Sequence, residues 1–174
     1  MKQCTGRRAS ADAANFIDAV TAEISASYQD GIGVNHNEGY NLPRETEVLS
    51  ILAKLLELIF PGFAQREAYS METLKFSVGE TVSSLYIELN DVIHRACKYH
   101  CMLTESCDDC KCLQRSRAAT EKLLRSLPKL RAVIKKDIQA ALDGDPAARS
   151  LDEIILSYPG VKAITIQRLA HILY

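Results

Sequence analysis

The sequence has 174 residues, of which 47% are hydrophobic and 25% are charged, and its formal net charge is −1. This composition is ordinary for a globular protein, and the small net charge gives the chain no overall attraction to nucleic acid or anionic membranes. No apolar run approaches the roughly 20 residues of a membrane-spanning helix, and no apolar stretch follows Arg7 and Arg8 as in a secretory signal. We therefore expect a cytoplasmic protein that binds neither membrane nor nucleic acid.

The N-terminal residues predict a helix from about Ser10 to Tyr28, because apolar residues recur there at three- and four-residue steps. The predicted apolar face comprises Ala13, Phe16, Ile17, Val20 and Ile24. Residues 30–41 contain three glycines and three asparagines, which tolerate turn conformations and therefore predict a loop.

A second helix is predicted after Pro43, since proline is tolerated in a first helical turn, and Pro61 and Gly62 should end it. Its apolar face comprises Val48, Ile51, Leu52, Leu55, Leu56 and Ile59. That face would suit either an intramolecular core or a contact between subunits. A third helix from about Met71 to Leu103 carries a predicted buried stripe. The stripe comprises Leu74, Val78, Val82, Leu85, Leu89, Val92 and Ile93.

Two further helices are predicted at residues 115–127 and 128–142, because Pro128 should interrupt the helical pattern. The same proline marks the predicted boundary between two domains. The first would be a helical bundle at residues 1–127, and the second a helical segment at residues 128–174.

The C-terminal part predicts two more helices. Ser150 and Glu153 have the spacing of a capping box, after the break at Gly144-Asp145-Pro146. The helix that they start should end at Tyr158-Pro159-Gly160, and a last helix should cover Val161 to Tyr174. No alternating strand pattern occurs in the sequence, so we predict an all-α fold with about six or seven helices.

Four short sequence elements follow one another in the last 38 residues. They are Asp137-Ile138-Gln139-Ala140, Asp145-Pro146-Ala147, Tyr158-Pro159-Gly160 and Arg168-Leu169-Ala170-His171. In this order they resemble the stretch that leads into the catalytic domain of serine O-acetyltransferases. The preceding residues agree with that family only in their helical pattern.

The resemblance implies that the complete protein transfers an acetyl group from acetyl-CoA to the hydroxyl of L-serine, forming O-acetylserine for cysteine biosynthesis. In that family a histidine of a left-handed parallel β-helix is the general base. The helical domain contributes one carboxylate to the serine pocket, and this residue matches Asp145, our candidate catalytic-site residue. Such a carboxylate can hold the substrate ammonium by charge-assisted hydrogen bonds and thereby orient the hydroxyl.

Asp145 also has a structural interpretation, since an aspartate before a proline can cap the N-terminus of a helix. Capping and substrate binding do not exclude each other. Arg168 and His171 lie three positions apart on one face of the last helix, and the sequence suggests no chemical role for them. We interpret His171 as a packing or hydrogen-bonding histidine.

The sequence departs from the family in one large respect, because it contains no hexapeptide turns of a left-handed β-helix. We expect that domain downstream of Tyr174, together with the catalytic histidine and the acetyl-CoA site, so we assign no cofactor-binding residue. The tail with which family members bind O-acetylserine sulfhydrylase would also lie downstream. The chain alone should therefore be inactive. The resemblance further implies a homo-oligomer with contacts through the helical region.

Seven cysteines and histidines lie within residues 94–112, here called the cysteine segment. They are His94, Cys97, His100, Cys101, Cys107, Cys110 and Cys112. His94, Cys97 and Cys101 share a helix face. Cys107 and Cys110 could complete a tetrahedral zinc site with them. The same pair could instead undergo reversible oxidation, or all the cysteines could be reduced and without a ligand. The sequence leaves these alternatives open, so metal binding is unknown.

Residues 111–136 contain nine lysines or arginines and a single acidic residue, Glu121. No aromatic side chains accompany them as a base-stacking platform. A solvated face, or a contact with an acidic surface of a neighbouring subunit, is therefore favoured over nucleic-acid binding.

The alternative function belongs to another class, a free-standing helical interaction or regulatory module that responds to metal or thiol oxidation through the cysteine segment. It predicts that the protein ends after Tyr174. The apolar end of the last helix favours a continuing chain instead, because its final carbonyls need hydrogen-bond partners.

Overall fold

The computed structural model describes residues 6–29, 42–63, 71–104 and 109–174. Six α-helices and no β-strand occur in these ranges, which confirms the predicted all-α class. The helices are α1 (Gly6–Ser27), α2 (Glu45–Ile59), α3 (Met71–Leu103), α4 (Asp109–Gly144), α5 (Leu151–Ser157) and α6 (Pro159–Leu173). The predicted loop at residues 30–41 lies outside the described residues.

The chain divides into two compact units, residues 1–40 and residues 41–174. The first unit contains α1, so the predicted N-terminal helix is confirmed. Its large apolar side chains are exposed, with Phe16 at 67% and Ile17 at 60%. The predicted apolar face of α1 is therefore formed but not buried.

In the second unit α4 is the central helix, because it packs against α2, α3, α5 and α6. Its buried side chains form one stripe at three- and four-residue steps, as expected for a helix that faces a core. The stripe comprises Cys112, Ser116, Thr120, Leu123, Leu127, Leu130, Ile134 and Ile138. The other helices add Ile51, Leu55, Ile59, Leu85, Leu89, Ile154, Val161 and Leu169 to the core.

Pro128 does not separate two helices, contrary to the prediction, but lies inside α4. A proline in a helix interior costs about 3 kcal/mol relative to alanine, because it lacks an N–H and clashes with the preceding turn. Leu127 and Leu130 beside it are buried, and burying a leucine contributes about 1.5–3 kcal/mol. Packing thus outweighs the local cost. The predicted domain boundary between residues 127 and 128 lies within this helix and stays a prediction.

The apolar faces predicted for α2 and α3 are buried to different extents. In α2, Ile51, Leu55 and Ile59 are buried in the core whereas Val48 is 45% exposed, so only part of this face serves an intramolecular contact. In α3, Leu85 and Leu89 are buried whereas Val78 is 39% exposed. Helical spacing identifies a face, but it does not show how far along the helix a partner extends.

Candidate functional site

The four sequence elements lie within residues 137–174, here called the motif segment, which includes the end of α4, α5 and α6. Ile154 of α5 is fully buried, and Val161 and Leu169 bury one face of α6. These side chains belong to the same hydrophobic core as α4. The polar groups of the motif segment are therefore attached to a packed support.

Asp137 in the first element pairs with Arg168 in the fourth. The Nε and Nη2 atoms of Arg168 donate to Oδ2 and Oδ1 of Asp137, each at 2.9 Å. A planar guanidinium fits a carboxylate in this two-bond arrangement, which adds geometric specificity to the attraction. The pair ties α6 to α4, and this is a structural role for Arg168 that the sequence did not suggest.

Asp145 follows α4 directly and organises the turn that comes next. Its Oδ1 accepts the N–H of Ala147 at 2.9 Å, and its backbone carbonyl accepts the N–H of Ala148 at 3.0 Å. This is an Asx turn, in which the side chain takes the place of a backbone group. The helix-capping interpretation of Asp145 is wrong, because α5 begins at Leu151 and has Ser150 as its N-cap.

The predicted capping box at the start of α5 forms, except that one of its two hydrogen bonds is displaced by one residue. Ser150 Oγ accepts the N–H of Glu153 at 3.1 Å, as the pattern predicts. The Glu153 carboxylate accepts the N–H of Arg149 at 2.9 Å, one residue before the position that the pattern requires. These two bonds fix the end of the connection between α4 and α5, which begins at Asp145.

Tyr158 in the third element donates its phenolic O–H to Oδ2 of Asp145 at 2.5 Å. This bond joins the third element to the second, just as Arg168 joins the fourth to the first. The four elements are therefore two pairs of hydrogen-bonding partners.

The proline that follows Tyr158 explains its conformation. A residue before proline favours an extended backbone, and Tyr158 has φ −95° and ψ 102°. Its N–H donates to the carbonyl of Ile154 at 3.3 Å, and its carbonyl accepts the N–H of Val161 at 3.1 Å. Pro159 then starts α6, where a missing N–H is tolerated. Tyr158 is thus the fixed junction between α5 and α6.

The Asp145–Tyr158 bond moves the two pKa values apart. The phenol of Tyr158, followed by the Ala147 N–H, lowers the pKa of Asp145 from its ordinary value of 3.8. The carboxylate, followed by desolvation, raises the pKa of Tyr158 to about 12. At neutral pH the site is therefore a carboxylate anion that accepts a hydrogen bond from a neutral phenol.

A carboxylate has about four acceptor positions, and the two hydrogen-bond donors on Asp145 occupy only part of this capacity. The remaining positions can accept hydrogen bonds from a cationic group such as an ammonium. The arrangement can therefore bind and orient a small cation.

In the part of the chain that the structure describes, the cysteine segment does not assemble the predicted ligands. Cys101 and Cys112 are buried, with their sulfur atoms 3.3 Å apart. Desolvation, followed by the nearby Cys101, raises the pKa of the Cys97 thiol, which disfavours the reactive thiolate. No group of three or more His, Cys, Asp or Glu among these described residues could hold a metal ion. Cys107 and the side chain of Cys110 lie outside them, so the three alternatives that the sequence leaves for this segment stay open.

The other residues singled out by sequence lie at the surface. His171 is exposed in the last turn of α6. The nine lysines and arginines between positions 111 and 136 are all exposed along α4. Of the helices in the described ranges, none combines the length and the apolar character needed to span a membrane.

The sequence selected Asp145 but missed its partner Tyr158. The Tyr-Pro-Gly element predicts a helix break and carries part of the family resemblance, but the sequence assigns no partner to Tyr158 and no role to Arg168. Their contacts span 13 and 31 positions, which helical spacing cannot reveal. The available signal was the occurrence of complementary polar residues in four ordered elements.

Known proteins match this chain over the same region. Residues 89–166 match the family model described as serine acetyltransferase, N-terminal. The plasmid serine acetyltransferase of Synechococcus elongatus is 30% identical over 162 residues, which cover 91% of this chain and 51% of that protein. The serine acetyltransferase of Bacillus subtilis is 52% identical over 42 residues, or 24% of this chain and 19% of that protein.

A solved structure is also similar to this chain. It is serine acetyltransferase isoform 3 from Entamoeba histolytica in complex with cysteine, with a TM-score of 0.54 and 28% identity over 92% of this chain and 51% of that one. This chain thus spans about half the length of the Synechococcus and Entamoeba relatives. Together with the paired elements of the motif segment, these matches show that residues 89–166 belong to the N-terminal domain of the serine acetyltransferase family.

Proposed function

We propose that this chain is the N-terminal part of a serine O-acetyltransferase and that Asp145 supplies a carboxylate to the L-serine pocket. The complete enzyme would transfer the acetyl group of acetyl-CoA to the serine hydroxyl and release O-acetylserine and CoA. The observation that carries the proposal is the pair of hydrogen bonds that Asp145 accepts from Tyr158 and Ala147, because they keep its carboxylate ionised and oriented.

Asp145 would bind the ammonium group of the substrate. Opposite charges and the acceptor positions that remain on the carboxylate favour this contact. The Entamoeba relative was solved with cysteine, which has the same ammonium as serine and a sulfur in place of the hydroxyl oxygen. A carboxylate that recognises the shared ammonium would serve both amino acids, which supports a role in binding rather than in proton transfer.

The rest of the enzyme would supply the general base, the acetyl-CoA site and the tail that binds O-acetylserine sulfhydrylase. This assignment is supported by the length of the relatives, of which this chain spans about half. We expect the 174-residue chain alone to be inactive and the complete enzyme to act in the cytoplasm.

Homo-oligomer contacts are the second part of the proposal. Phe76 and Ile87 on α3 are 80% and 70% exposed, and eleven positions correspond to about three helical turns, so they lie on one face. Exposed apolar side chains on a common face favour contact with another chain. The buried half of the apolar face of α2, which comprises Ile51, Leu55 and Ile59, is not available for this contact.

The test is to sequence the gene beyond the codon for Tyr174, express the complete reading frame and measure CoA release from acetyl-CoA. L-serine and L-homoserine would be compared as acceptors, with heat-denatured enzyme as the control. We expect a frame that continues into hexapeptide repeats and release that depends on L-serine. A stop codon after Tyr174, no serine-dependent release, or a preference for L-homoserine would contradict the proposal. The alternative of a free-standing regulatory module gains no support from the matched relatives.

A further inference from the structure

We propose that Tyr158 is a positioning residue, whose phenol fixes the Asp145 carboxylate and thereby sets how tightly the enzyme holds the ammonium of L-serine. The inference rests on the proposed function of Asp145 and adds a residue to that site.

The first argument concerns rotation of the carboxylate. The terminal torsion of an aspartate has a broad energy minimum, so a carboxylate held at one oxygen can still turn. In this site the Ala147 N–H holds Oδ1 and the Tyr158 O–H holds Oδ2. Because the two donors contact different oxygens, together they restrict the torsion, and the remaining acceptor positions keep a constant direction.

The second argument concerns the rigidity of the donor. The Tyr158 ring is half-buried and packs against the hydrophobic core. Its backbone is held by Ile154 on one side and by Val161 on the other, and Pro159 restricts it further. A donor whose position is fixed before the ligand arrives lowers the ordering cost of binding.

Protonation supports the same role. The pKa of Tyr158 is raised to about 12 by Asp145, by desolvation and by the charge of Glu153. The phenol therefore stays protonated as a donor across neutral pH, while Asp145 stays ionised. Both states thus persist around neutral pH, where the ammonium of an amino acid is also charged.

The structural part of the test is an NMR titration of the Asp145 carboxyl carbon in the 174-residue chain. Tyr158→Phe removes only the hydroxyl, so we expect the pKa of Asp145 to rise toward its ordinary value. Tyr86→Phe is the matched control, because Tyr86 is also half-buried but lies on α3. Incorporation of 3-fluorotyrosine at position 158 keeps the ring and makes the phenol a stronger donor, so the pKa of Asp145 should fall further. An Asp145 pKa that responds to neither change would overturn the proposal.

The functional part of the test uses the complete reading frame. Tyr158→Phe should raise the KM for L-serine roughly threefold to tenfold while kcat and the KM for acetyl-CoA stay close to wild type, because the lost contact acts on binding. A merely structural role would instead lower the folded fraction and would not single out the KM for serine. An unchanged KM in Tyr158→Phe beside an impaired Asp145→Asn would reject the positioning role alone. A wild-type kcat/KM in Asp145→Asn would reject the proposed function itself.

Discussion

The motif segment and the cysteine segment differ in how their sequence patterns relate to contacts in space. In the motif segment, Tyr158 and Arg168 bond to aspartates that lie 13 and 31 positions away. In the cysteine segment, seven potential ligands occupy 19 positions, yet the described side chains form no group that could hold a metal. Among the side chains that the structure describes, a dense run of reactive residue types is therefore a weaker guide to contacts than complementary groups in a fixed order.

The difference has a physical cause in the burial of the side chains. Asp137, Asp145, Tyr158 and Arg168 are half-buried at the edge of the core, where polar groups can meet while remaining partly hydrated. Cys101 and Cys112 are buried, and Cys112 continues the stripe that α4 directs into the core. Thiols in such positions pack as small apolar groups. The helical period of the cysteines is thus explained by packing.

The largest expected effect tests whether the motif segment depends on the core. Ile154→Ala in α5 removes a fully buried side chain and should lower the free energy of unfolding by about 2–5 kcal/mol. Leu156→Ala in the same helix is the control, because Leu156 is 66% exposed and its loss should cost only about 0.5 kcal/mol. Urea unfolding measures both values. Equal losses would show that α5 is not anchored as described.

The next effect concerns the two-bond pair between Asp137 and Arg168. A double-mutant cycle with alanine at both positions should give a coupling of about 1–3 kcal/mol, since the charges are partly buried and correctly oriented. Arg125 and Glu121 are the control pair, with atoms 3.9 Å apart on the exposed side of α4. Their coupling should be about 0.3–0.5 kcal/mol. If the coupling between Asp137 and Arg168 is no larger than that of the control pair, these two residues do not link the first element to the fourth.

A smaller effect is the pH dependence of the Asp145–Tyr158 bond. The pKa of Asp145 is lowered, so the stability from the bond is present above its ordinary value of 3.8 and is lost as pH falls through the folded-state pKa. The pKa of Tyr158 is raised, so this stability is present below its ordinary value of 10.0 and is lost as pH rises toward about 12. The difference in unfolding free energy between wild type and Tyr158→Phe should therefore be greatest between these limits. A difference that is constant with pH would mean that the bond is not formed.

The smallest effect is expected in the cysteine segment. Replacing Cys107 and Cys110 together by serine should leave the zinc content of the purified chain unchanged, because the described His and Cys side chains of the segment form no group that could hold a metal ion. Cys112→Ser is the contrasting variant, because a hydroxyl at this fully buried position should cost about 1–3 kcal/mol. Zinc that is bound by wild type and lost from the double variant would establish a metal site. The cysteine segment would then contain a site that its sequence pattern predicts.

Much of the fold was predictable because helical spacing reports directly on which face of a helix is apolar. The long α3, the N-cap Ser150 and the break at Tyr158 all followed from local rules. Pro128 did not follow them, because the local preference of one proline is smaller than the burial of the leucines beside it. The exposure of Phe16 and Val78 was also not predictable, since spacing does not identify the packing partner.

The candidate site was predictable only in part. Asp145 is a candidate through the family resemblance of its sequence element, whereas the contact of Tyr158 with it depends on where α5 ends and α6 begins. Arg168 reaches Asp137 only because Leu169 and Val161 dock α6 on the core. Such contacts arise from tertiary packing, which local patterns do not contain.

The most direct measurement is kcat/KM for L-serine in the complete reading frame with Asp145→Asn. The matched control is Asp143→Asn, because Asp143 is an exposed carboxylate two positions away that accepts a hydrogen bond from Gln139. Loss of a charge-assisted contact to the substrate should lower kcat/KM by roughly tenfold to a hundredfold in Asp145→Asn, and Asp143→Asn should stay close to wild type. Equal values for the two variants would contradict a substrate role for Asp145.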